Sequence, residues 1–540
     1  MKDIQLVILM AGKSTRLQPL NYNMPKGLNS FMQIPAIYTM IIDYINRGLD
    51  DITIIASPQN KDIIEGFLSK AFSNIKTKVV VQDNPKGPLD AFRRVKKVKK
   101  STLLLLGDTT CETTNDFDHS FIAYSQVPDY SRWCLLDTDE EDNVVSFVDK
   151  PDVRPNTDKA IIGLYYFKDY KLLNELLNKD YPTIKGEYQL SSLLEEYNKY
   201  DTFKAKKFKK WKDSGTLEDI VNIKRKSLTG RIFNNFKISK NAVITKESDY
   251  DILKREAHWY EKVHDTPLSV YIPQFYGYNV KDSIINYRLE YLPYKTLAEY
   301  FVFYPIVDDN WKYMFKELIR VLEDFWAFNG FWCDINIVDC TRKMYVDKTL
   351  QRIANWDRQD ILAYEDVVVN GKKLMGFNKI LNLLMPHIEE IINNSEEHVG
   401  VIHGDPSFQN ILFAPEMCIY KLIDPRGAFP NETVFGDVRY ELAKLRHCYH
   451  GMYDYVIYKM FSLEQNDNVF NYKYVTDNVV DFTIFDNVLK RKGFDINEVE
   501  LIEGLLFISM ISLHHDEPEM QKMFYLIGLE CLNNVYEKLK

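Results

Sequence analysis

A polar loop framed by apolar runs, at residues 403–410, constrains the C-terminal half of the chain more than any other feature. The loop reads HGDPSFQN and lies between Val401-Ile402 and Ile411–Phe413, two short apolar runs that predict strands. Asp424 follows the next apolar run, Leu422-Ile423. A histidine-containing loop between two buried strands is the alternative, and the full spacing disfavours it. The pattern therefore predicts a catalytic loop.

Three side chains of this region occur in the order that phosphoryl transfer from a nucleotide requires. In that chemistry an Asp positions the acceptor hydroxyl, a following Asn holds Mg²⁺, and a second Asp on the next strand also binds the metal. Asp405, Asn410 and Asp424 fit these roles in order. The spacing therefore predicts a site that uses ATP and Mg²⁺.

An upstream lysine and glutamate complete this pattern. Lys246 ends the apolar run Ala242–Thr245, and Glu256 lies in the helical stretch Ile252–Val263. A strand lysine that binds nucleotide phosphates, held by a helix glutamate, has this arrangement. A slip of register would bring in charged neighbours instead, namely Glu247, Lys254 and Arg255.

Residues 230–540 resemble the aminoglycoside phosphotransferase and choline kinase superfamily, in which the catalytic loop reads H-G-D-x-x-x-x-N. The resemblance implies a two-lobed protein-kinase-like domain that phosphorylates small molecules, with a small lobe at about 230–292 and a helical lobe at about 293–540. Asp424-Pro425-Arg426-Gly427 stands where protein kinases have D-F-G. Arg426 could clamp a substrate anion or pair with an acidic neighbour.

The first residues of the chain carry a second, independent pattern. Ile4–Met10 is an apolar run that predicts a buried parallel strand, and it ends in a turn of small residues that starts at Ala11. Such a turn lets backbone N–H groups approach phosphates, and Arg16 and Lys26 add positive charge. A P-loop is excluded because position 7 is Val and nothing matches G-x-x-x-x-G-K-[ST].

Residues 1–226 resemble the nucleotidyltransferases that make nucleotide-sugars and nucleotide-linked choline. Six motifs occur in the family's order: Ala11–Leu17 with Pro25-Lys26, Gln82–Ala91, Leu103–Asp108, Asp149–Pro151, Gly186–Leu190 and Trp211–Thr216. The chain departs from the family at Lys13 and Ser14, where glycines are usual, and at Ser191-Ser192, where the family has T-D. These departures leave the details of the phosphate contacts open.

The resemblance implies a role for each matching residue. Mg²⁺ would be held by Asp108 and Asp213, while Arg16 and Lys26 would stabilise the departing pyrophosphate. The acceptor phosphate would contact Lys150 and Glu187. The remaining matches are expected to bind the nucleotide: Ala11, Gly12, Lys13, Gln82 and Gly87.

The motifs predict two domains, 1–226 and 227–540, joined by a short polar segment without a Gly/Ser or Pro-rich linker. Alternating strands and helices predict that the first is an α/β, Rossmann-like domain with a mostly parallel sheet. The second is expected to be the two-lobed kinase-like domain.

Composition excludes several classes of protein. A net charge of −9 argues against a nucleic-acid binder. Seven cysteines without a C-x-x-C pair predict neither a zinc site nor a disulfide framework. No apolar run is long enough for a transmembrane segment, and no signal peptide is apparent, so a cytoplasmic protein is expected. The oligomeric state is left open.

The two patterns together predict a bifunctional enzyme. One domain would phosphorylate a small alcohol or sugar with ATP, and the other would couple the phosphate to a nucleotide from CTP, UTP or dTTP. By resemblance, the product would be an activated precursor for surface material such as capsular polysaccharide or modified lipid. The alternative is a single-activity kinase with a degenerate nucleotide-binding module at its N-terminus.

Overall fold

The computed structural model describes residues 1–12, 14–18, 24–31, 34–127, 129–184, 186–227, 235–239, 241–333, 335–477 and 481–540. The chain divides into two compact units, Met1–Ser227 and Leu228–Lys540. Each unit is described by itself.

The first unit alternates strands with helices. Its strands are β1 (Ile4–Met10), β2 (Ser30–Phe31), β3 (Ile34–Pro35), β4 (Asp51–Ala56), β5 (Lys76–Val81), β6 (Ser101–Leu106), β7 (Thr109–Thr110), β8 (Phe121–Gln126), β9 (Cys134–Thr138), β10 (Val144–Asp149), β11 (Lys159–Phe167), β12 (Lys204–Lys207) and β13 (Lys212–Asp213). Its helices are α1 (Tyr38–Asn46), α2 (Lys61–Ala71), α3 (Pro88–Arg93), α4 (Tyr170–Leu177), α5 (Leu190–Asn198) and α6 (Leu217–Ser227).

The main sheet of this unit is built on β1. Strands β6, β1, β4 and β5 are adjacent and parallel in that order, and antiparallel pairing is concentrated around β11. Consecutive side chains of β1, Leu6, Val7 and Ile8, are fully buried, as in a strand covered on both faces. The predicted strand at Ile4–Met10 is confirmed, and so is the α/β class with its parallel strands.

The order of these strands creates a place for a ligand. The chain runs from β1 outward to β4 and β5, and then returns to place β6 on the other side of β1. Loops that leave β1 and β6 at their carboxyl ends therefore diverge, which opens a crevice at the topological switch point. The segments after these two strands contain Ala11-Gly12 and Gly107-Asp108.

The second unit begins with a small sheet and continues into helices. Its strands are β14 (Asn235–Ile238), β15 (Val243–Asp249), β16 (Phe275–Lys281), β17 (Ile284–Glu290), β18 (Lys295–Thr296), β19 (Asp366–Val369), β20 (Lys372–Met375), β21 (Val399–Val401), β22 (Ile411–Ala414), β23 (Ile419–Leu422), β24 (Phe435–Asp437), β25 (Phe461–Asn466) and β26 (Val469–Tyr474). Its helices are α7 (Tyr250–Val263), α8 (Leu297–Phe303), α9 (Asp308–Trp326), α10 (Ile337–Arg342), α11 (Lys348–Ala354), α12 (Gln359–Leu362), α13 (Phe377–Asn393), α14 (Val438–Tyr449), α15 (Tyr453–Ile457), α16 (Thr483–Arg491), α17 (Ile496–Met510) and α18 (Pro518–Leu539).

The strands of this unit form separate small sheets. The first has the order β14-β15-β17-β16 and is antiparallel, with α7 packed against it. A second sheet, β18-β22-β23, and the pair β21–β24 flank the loop at 403–410. That loop therefore lies between strands, as its apolar flanks predict.

Helix α14 connects the core of this unit to that loop. Every residue of Val438–Tyr449 is buried, and α14 packs on α17, whose residues are also almost all buried. Four of the buried side chains on α14 are charged, and burial of a charge is tolerated only when it is paired. Arg439, for example, is 1% exposed and contacts Asp437, which is fully buried, at 2.8 Å.

Among the described residues, no helix has the length and hydropathy needed to cross a membrane.

Candidate active sites

A cavity in the first unit gathers four of the residues that the motifs single out. Arg16, Asp108, Lys150 and Asp213 all contribute to its lining. They come from segments spread over about 200 positions of the sequence, so the fold and not the local sequence brings them together. The cavity lies beyond the carboxyl end of β6, where the strand order predicts a ligand site.

Backbone pairing places the two predicted metal ligands beside each other. Strand β13 pairs with β7 so that Asp213 lies opposite Thr109, the residue after Asp108. Ser214 then donates from its backbone N and its Oγ to the Asp108 carbonyl, at 3.1 and 3.0 Å. Burial, followed by the charges of Asp108 and Asp219, raises the pKa of Asp213 to about 6.

Two cations neutralise this pair in the structure. Lys26 Nζ lies 2.6 Å from Asp108 Oδ2. Arg132 lies 3.3 Å from Asp213 Oδ2 and 3.2 Å from Asp219 Oδ2. Asp219 and Arg132 belong to none of the motifs, and the sequence offered no signal for them.

The pair fits the chemistry of a divalent cation. Two carboxylates that repel each other in a partly dehydrated site match the hard oxygen ligands that Mg²⁺ prefers. Within the described residues no group of three or more His, Cys, Asp or Glu side chains forms a complete cage. A Mg²⁺ ion held by one or two carboxylates usually keeps waters and substrate phosphates as its other ligands.

Lys150 occupies an unusual backbone conformation at the cavity wall. It follows β10 with φ of 48°, a left-handed value that costs a side-chain-bearing residue about 1–2 kcal/mol. Its backbone N donates to the Trp133 carbonyl at 2.9 Å. Ser191 Oγ donates to Asp149 Oδ2 at 3.0 Å, so the serine that replaces the family's usual residue anchors the carboxylate before Lys150.

The turn after β1 is described in part. Ala11 is buried and Gly12 is exposed, while Lys13 lies outside the described residues. Ser14, at a position where glycine is usual in the family, has φ of 49°. The turn therefore keeps a left-handed conformation that glycine adopts without strain.

The remaining predicted nucleotide and acceptor residues lie outside the described lining of the cavity. Gln82 is 1% exposed and donates to Asp90 Oδ2 at 2.6 Å. Gly87 has φ of 114°, and a Cβ there would lie 2.6 Å from the Tyr188 carbonyl oxygen. Glu187 is exposed and accepts from Gln189, a residue that does line the cavity.

The second unit brings together the lysine and two acids predicted there. Lys246 Nζ lies 2.7 Å from both carboxylate oxygens of Glu256 and 3.4 Å from Asp424 Oδ1. Burial by itself would lower the pKa of Lys246, but the two carboxylates outweigh it and raise the pKa. The buried lysine is therefore held as a cation between Glu256 of α7 and Asp424, the second residue after β23.

Asp424 has a strained backbone conformation of the kind that is concentrated at functional sites. Its φ is 55°, in the left-handed region, and its backbone N donates to Tyr260 Oη at 3.3 Å. Tyr287 Oη donates to Glu256 from the facing strand. Neither tyrosine belongs to the motif, and both hold the groups that do.

The loop at 403–410 is folded back on itself around Asp405. Asn410 Nδ2 donates to the Asp405 carbonyl at 3.0 Å and to its Oδ2 at 3.3 Å. Lys444 Nζ lies 3.0 Å from Asp405 Oδ1. Burial opposes ionisation of Asp405, but Lys444 and Arg426 outweigh it and lower the pKa. Asp405 is thus a carboxylate that can accept a hydrogen bond from a hydroxyl group.

A buried glutamate orients the backbone of this loop. Glu441 Oε1 accepts from the N–H groups of His403 and Gly404, at 2.8 and 3.0 Å, and Oε2 accepts from Trp326 Nε1 at 2.7 Å. Glu441 and Lys444 both come from α14, one turn apart. Sequence reasoning missed both as site residues because a buried helix carries no loop motif.

A family model matches residues that lie almost wholly in the first unit. Residues 5–230 match the model of the family described as Nucleotidyl transferase. The low-salt glycan biosynthesis nucleotidyltransferase Agl11 of Haloferax volcanii is 27% identical over 231 residues, which are 40% of this chain and 63% of that protein. The bifunctional protein GlmU of Methanococcus aeolicus is 27% identical, over 44% of this chain and 58% of that protein. The glucose-1-phosphate thymidylyltransferase of Neisseria gonorrhoeae is 26% identical, over 40% of this chain and 79% of that protein.

The first unit is therefore a nucleotidyltransferase domain with sugar nucleotidyltransferase homologues. This chain matches less than two thirds of the length of Agl11 and of GlmU.

Proposed function

We propose that the first unit transfers a nucleotidyl group from a nucleoside triphosphate to a phosphomonoester and releases pyrophosphate. The observation that supports this most is the cavity in which Asp108 and Asp213 lie together, with Arg16 and Lys150 in the same lining. The relatives' names, a glycan biosynthesis nucleotidyltransferase and a thymidylyltransferase for glucose 1-phosphate, favour a sugar phosphate as the acceptor.

The residues of the cavity would act mainly by electrostatics. An oxygen of the phosphomonoester attacks the α-phosphorus, and the bond from that phosphorus to the departing pyrophosphate breaks. No general base is needed, because a phosphate oxygen is already a nucleophile. Asp108 and Asp213 would hold Mg²⁺, which offsets the repulsion between the two phosphorylated substrates. Arg16 and Lys26 would stabilise the departing pyrophosphate, and Lys150 and Glu187 would position the acceptor phosphate.

The nucleotide would be bound by the turn after β1 and by the segment after β5. Ala11, Gly12 and Lys13 are proposed to contact the phosphates. Gln82 and Gly87 are proposed to form part of the nucleotide site: Gln82 is fixed by Asp90, and Gly87 lets the backbone approach Tyr188. CTP, UTP and dTTP are the candidate donors.

We propose in addition that the second unit is a two-lobed, kinase-like domain that phosphorylates a small hydroxyl compound with ATP. Lys246 forms an ion pair with Glu256 and lies 3.4 Å from Asp424. This arrangement supports the kinase proposal, because the three side chains come from separate elements and meet as the motif predicts. Lys246 would bind the ATP phosphates, and Asn410 and Asp424 would hold Mg²⁺. Asp405 would position the acceptor hydroxyl.

The two activities would form a sequence, because a kinase makes a phosphomonoester and a nucleotidyltransferase consumes one. The product would be an activated precursor for surface polysaccharide or lipid modification. The test measures ADP and pyrophosphate from the full chain with ATP, Mg²⁺ and each of CTP, UTP, dTTP and GTP, against a panel of alcohols and sugars. Pyrophosphate that requires both ATP and one particular second triphosphate is the expected result.

Variants separate the two steps. Asp405→Asn should abolish ADP formation and retain pyrophosphate release from an acceptor that is already phosphorylated. Asp213→Asn should do the reverse, with a loss of about 10²-fold or more in pyrophosphate release. Asp62→Asn, an exposed acid of α2, is the control and should change neither. Phosphorylation that survives Asp405→Ala would refute the kinase assignment, and absence of pyrophosphate with every pair of triphosphate and phosphoester would refute the other.

A further inference from the structure

Basic side chains converge on one tyrosine beside the loop at 403–410. Tyr440, on α14, is 1% exposed. Arg426 donates from Nη1 to its Oη at 3.3 Å, and Lys348 Nζ lies 5.3 Å from the centre of its ring. Arg352 follows Lys348 by one turn of α11 and donates to the Ser509 carbonyl at 3.1 Å, and burial followed by the charge of Arg426 lowers its pKa against the effect of Tyr440. We call Lys348, Arg352 and Arg426 the Tyr440 cation cluster.

The cluster adjoins the proposed catalytic carboxylate. Arg426 packs directly on Gly404, where a Cβ would lie 2.9 Å from the Arg426 Cβ. Its backbone N also donates to the His403 carbonyl at 2.9 Å. On α14, Lys444 lies one turn beyond Tyr440 and contacts Asp405. The cations therefore border the place where an acceptor hydroxyl would meet Asp405.

Among the described residues, the three cations of the cluster have no ion-pair partner of their own, although the Asp405 carboxylate acts on Lys348 and Arg426 from beyond ion-pair distance. Within the part of the chain that the structure describes, no carboxylate lies within ion-pair distance of Lys348, Arg352 or Arg426, whereas Lys444 has Asp405. Burial lowers the pKa of Lys348 well below its usual value, and Arg426, Arg352 and Lys444 lower it further, against the opposing effect of Asp405. A group of cations that disfavour one another's charge is stabilised when an anion enters.

We propose that the Tyr440 cation cluster binds an anionic group of the acceptor, so that the second unit phosphorylates a hydroxyl compound that already carries a phosphate or a carboxylate. The proposal rests on the kinase function proposed above. The acceptor hydroxyl oxygen attacks the γ-phosphorus of ATP, the bond to the bridging oxygen breaks, ADP leaves, and the hydroxyl proton passes to Asp405. Planar guanidinium groups suit phosphate and carboxylate oxygens, and a cationic acceptor such as choline would be repelled.

A methionine beside the cluster supplies a reporter. Lys348 Nζ lies 3.8 Å from Met344 Sδ. In the full chain labelled with ¹³C-methyl methionine, the Met344 signal is assigned with Met344→Leu. Inorganic phosphate, glucose 6-phosphate, gluconate, glucose and choline are then titrated in the presence of Mg²⁺ and a non-hydrolysable ATP analogue. Phosphate and at least one of the two anionic sugar compounds should shift the signal, while glucose and choline should not. Glucose 6-phosphate and gluconate distinguish a phosphate from a carboxylate.

Substitutions test the assignment to these side chains. Lys348→Gln and Arg426→Gln should each weaken the response to the anions by about tenfold or more, the loss expected of a charge-assisted contact. Lys343→Gln, an exposed lysine paired with Asp339 at 2.6 Å, should leave it unchanged. An equal response to choline or glucose, or no response to any anion in the unmodified protein, would overturn the proposal.

A separate measurement tests the kinase function on which this proposal rests. Binding of the ATP analogue is compared between the unmodified chain and Lys246→Met, which isolates the second unit's contribution. Nucleotide binding that is insensitive to Lys246→Met would refute the kinase function itself. Nucleotide binding that depends on Lys246, with no response of Met344 to anions, would refute only the acceptor class.

Discussion

Asp454 should make the second unit less stable as the pH rises, and its replacement by Asn should remove that dependence. Asp454 is fully buried at the start of α15. It accepts one hydrogen bond, from Gln409 Nε2 at 3.1 Å, and its Oδ2 lacks a partner among the described residues. Burial raises the pKa of Asp454 from 3.8 to about 7, against the opposing effect of Gln409. The carboxyl that holds Gln409 is therefore protonated in the folded protein below neutral pH.

The size of the effect follows from the two pKa values. Below about pH 4 the group carries a proton whether the chain is folded or unfolded, and the free energy of unfolding is unaffected. Between that pH and about 7 only the folded state keeps the proton, so each pH unit lowers stability by about 1.4 kcal/mol. Above pH 7 both states are ionised, and the loss levels off at about 4 kcal/mol.

The assay compares thermal unfolding of the unmodified chain and Asp454→Asn between pH 4 and 8. Five of the seven tryptophans, Trp259, Trp311, Trp326, Trp332 and Trp356, lie in the second unit, so fluorescence reports mainly on it. The variant should gain about 6 °C relative to the unmodified protein across this range, from about 2.1 cal/mol/K of unfolding entropy per residue. Asp360→Asn, an acid 57% exposed beside Arg358, is the control. If the melting temperatures of Asp454→Asn and of the unmodified chain changed with pH in parallel, the reasoning would be refuted.

Three further predictions follow from buried contacts. Gly87→Ala should destabilise the first unit by about 2 kcal/mol or more in urea unfolding, because its Cβ would meet the Tyr188 backbone at 2.6 Å, whereas Gly186→Ala, with φ of 84° but open space, should cost less; equal losses would contradict the steric explanation. Glu441→Gln should lower kcat for ADP formation more than it raises KM for ATP, because one of three donors to the carboxylate loses its acceptor; unchanged kcat would show that the loop backbone needs no such support. Arg439→Met should cost about 3–5 kcal/mol in the free energy of unfolding, since it leaves Asp437 buried and unpaired, whereas Arg358→Met at an exposed pair should cost less than about 1 kcal/mol; similar losses would exclude this account.

Short-range sequence patterns were sufficient to predict strands near the two sites. The apolar run at Ile4–Met10 is a strand over the same residues. Of the runs that flank the loop at 403–410, Ile411–Phe413 lies within β22, whereas Val401-Ile402 overlaps β21 only at Val401. Hydrophobic periodicity and turn residues act over a few positions, so a sequence reports them directly. The family comparison agrees with the motifs in the first unit.

Distant pairings could not be read in the same way. Asp213 meets Asp108 because β13 pairs with β7, and two-residue strands leave almost no hydrophobic pattern. Arg132 and Asp219 join them from outside every motif. Lys348 and Lys444 lie on α11 and α14, which both pack against α17, so their approach to the site depends on the core of the unit.

By itself the sequence determined which two chemistries are expected, phosphoryl transfer and nucleotidyl transfer. Each expectation comes from short segments: the types and spacing of Asp405, Asn410 and Asp424 in one case, and the motifs from Ala11 to Thr216 in the other. Only the tertiary structure decided how the charges around those residues are balanced. It placed Lys26 and Arg132 on the two acids of the first cavity, and among the described residues it left the Tyr440 cation cluster without a carboxylate at ion-pair distance. The physical reason is that electrostatic energy depends on distances across the fold and on burial, which many remote side chains set together.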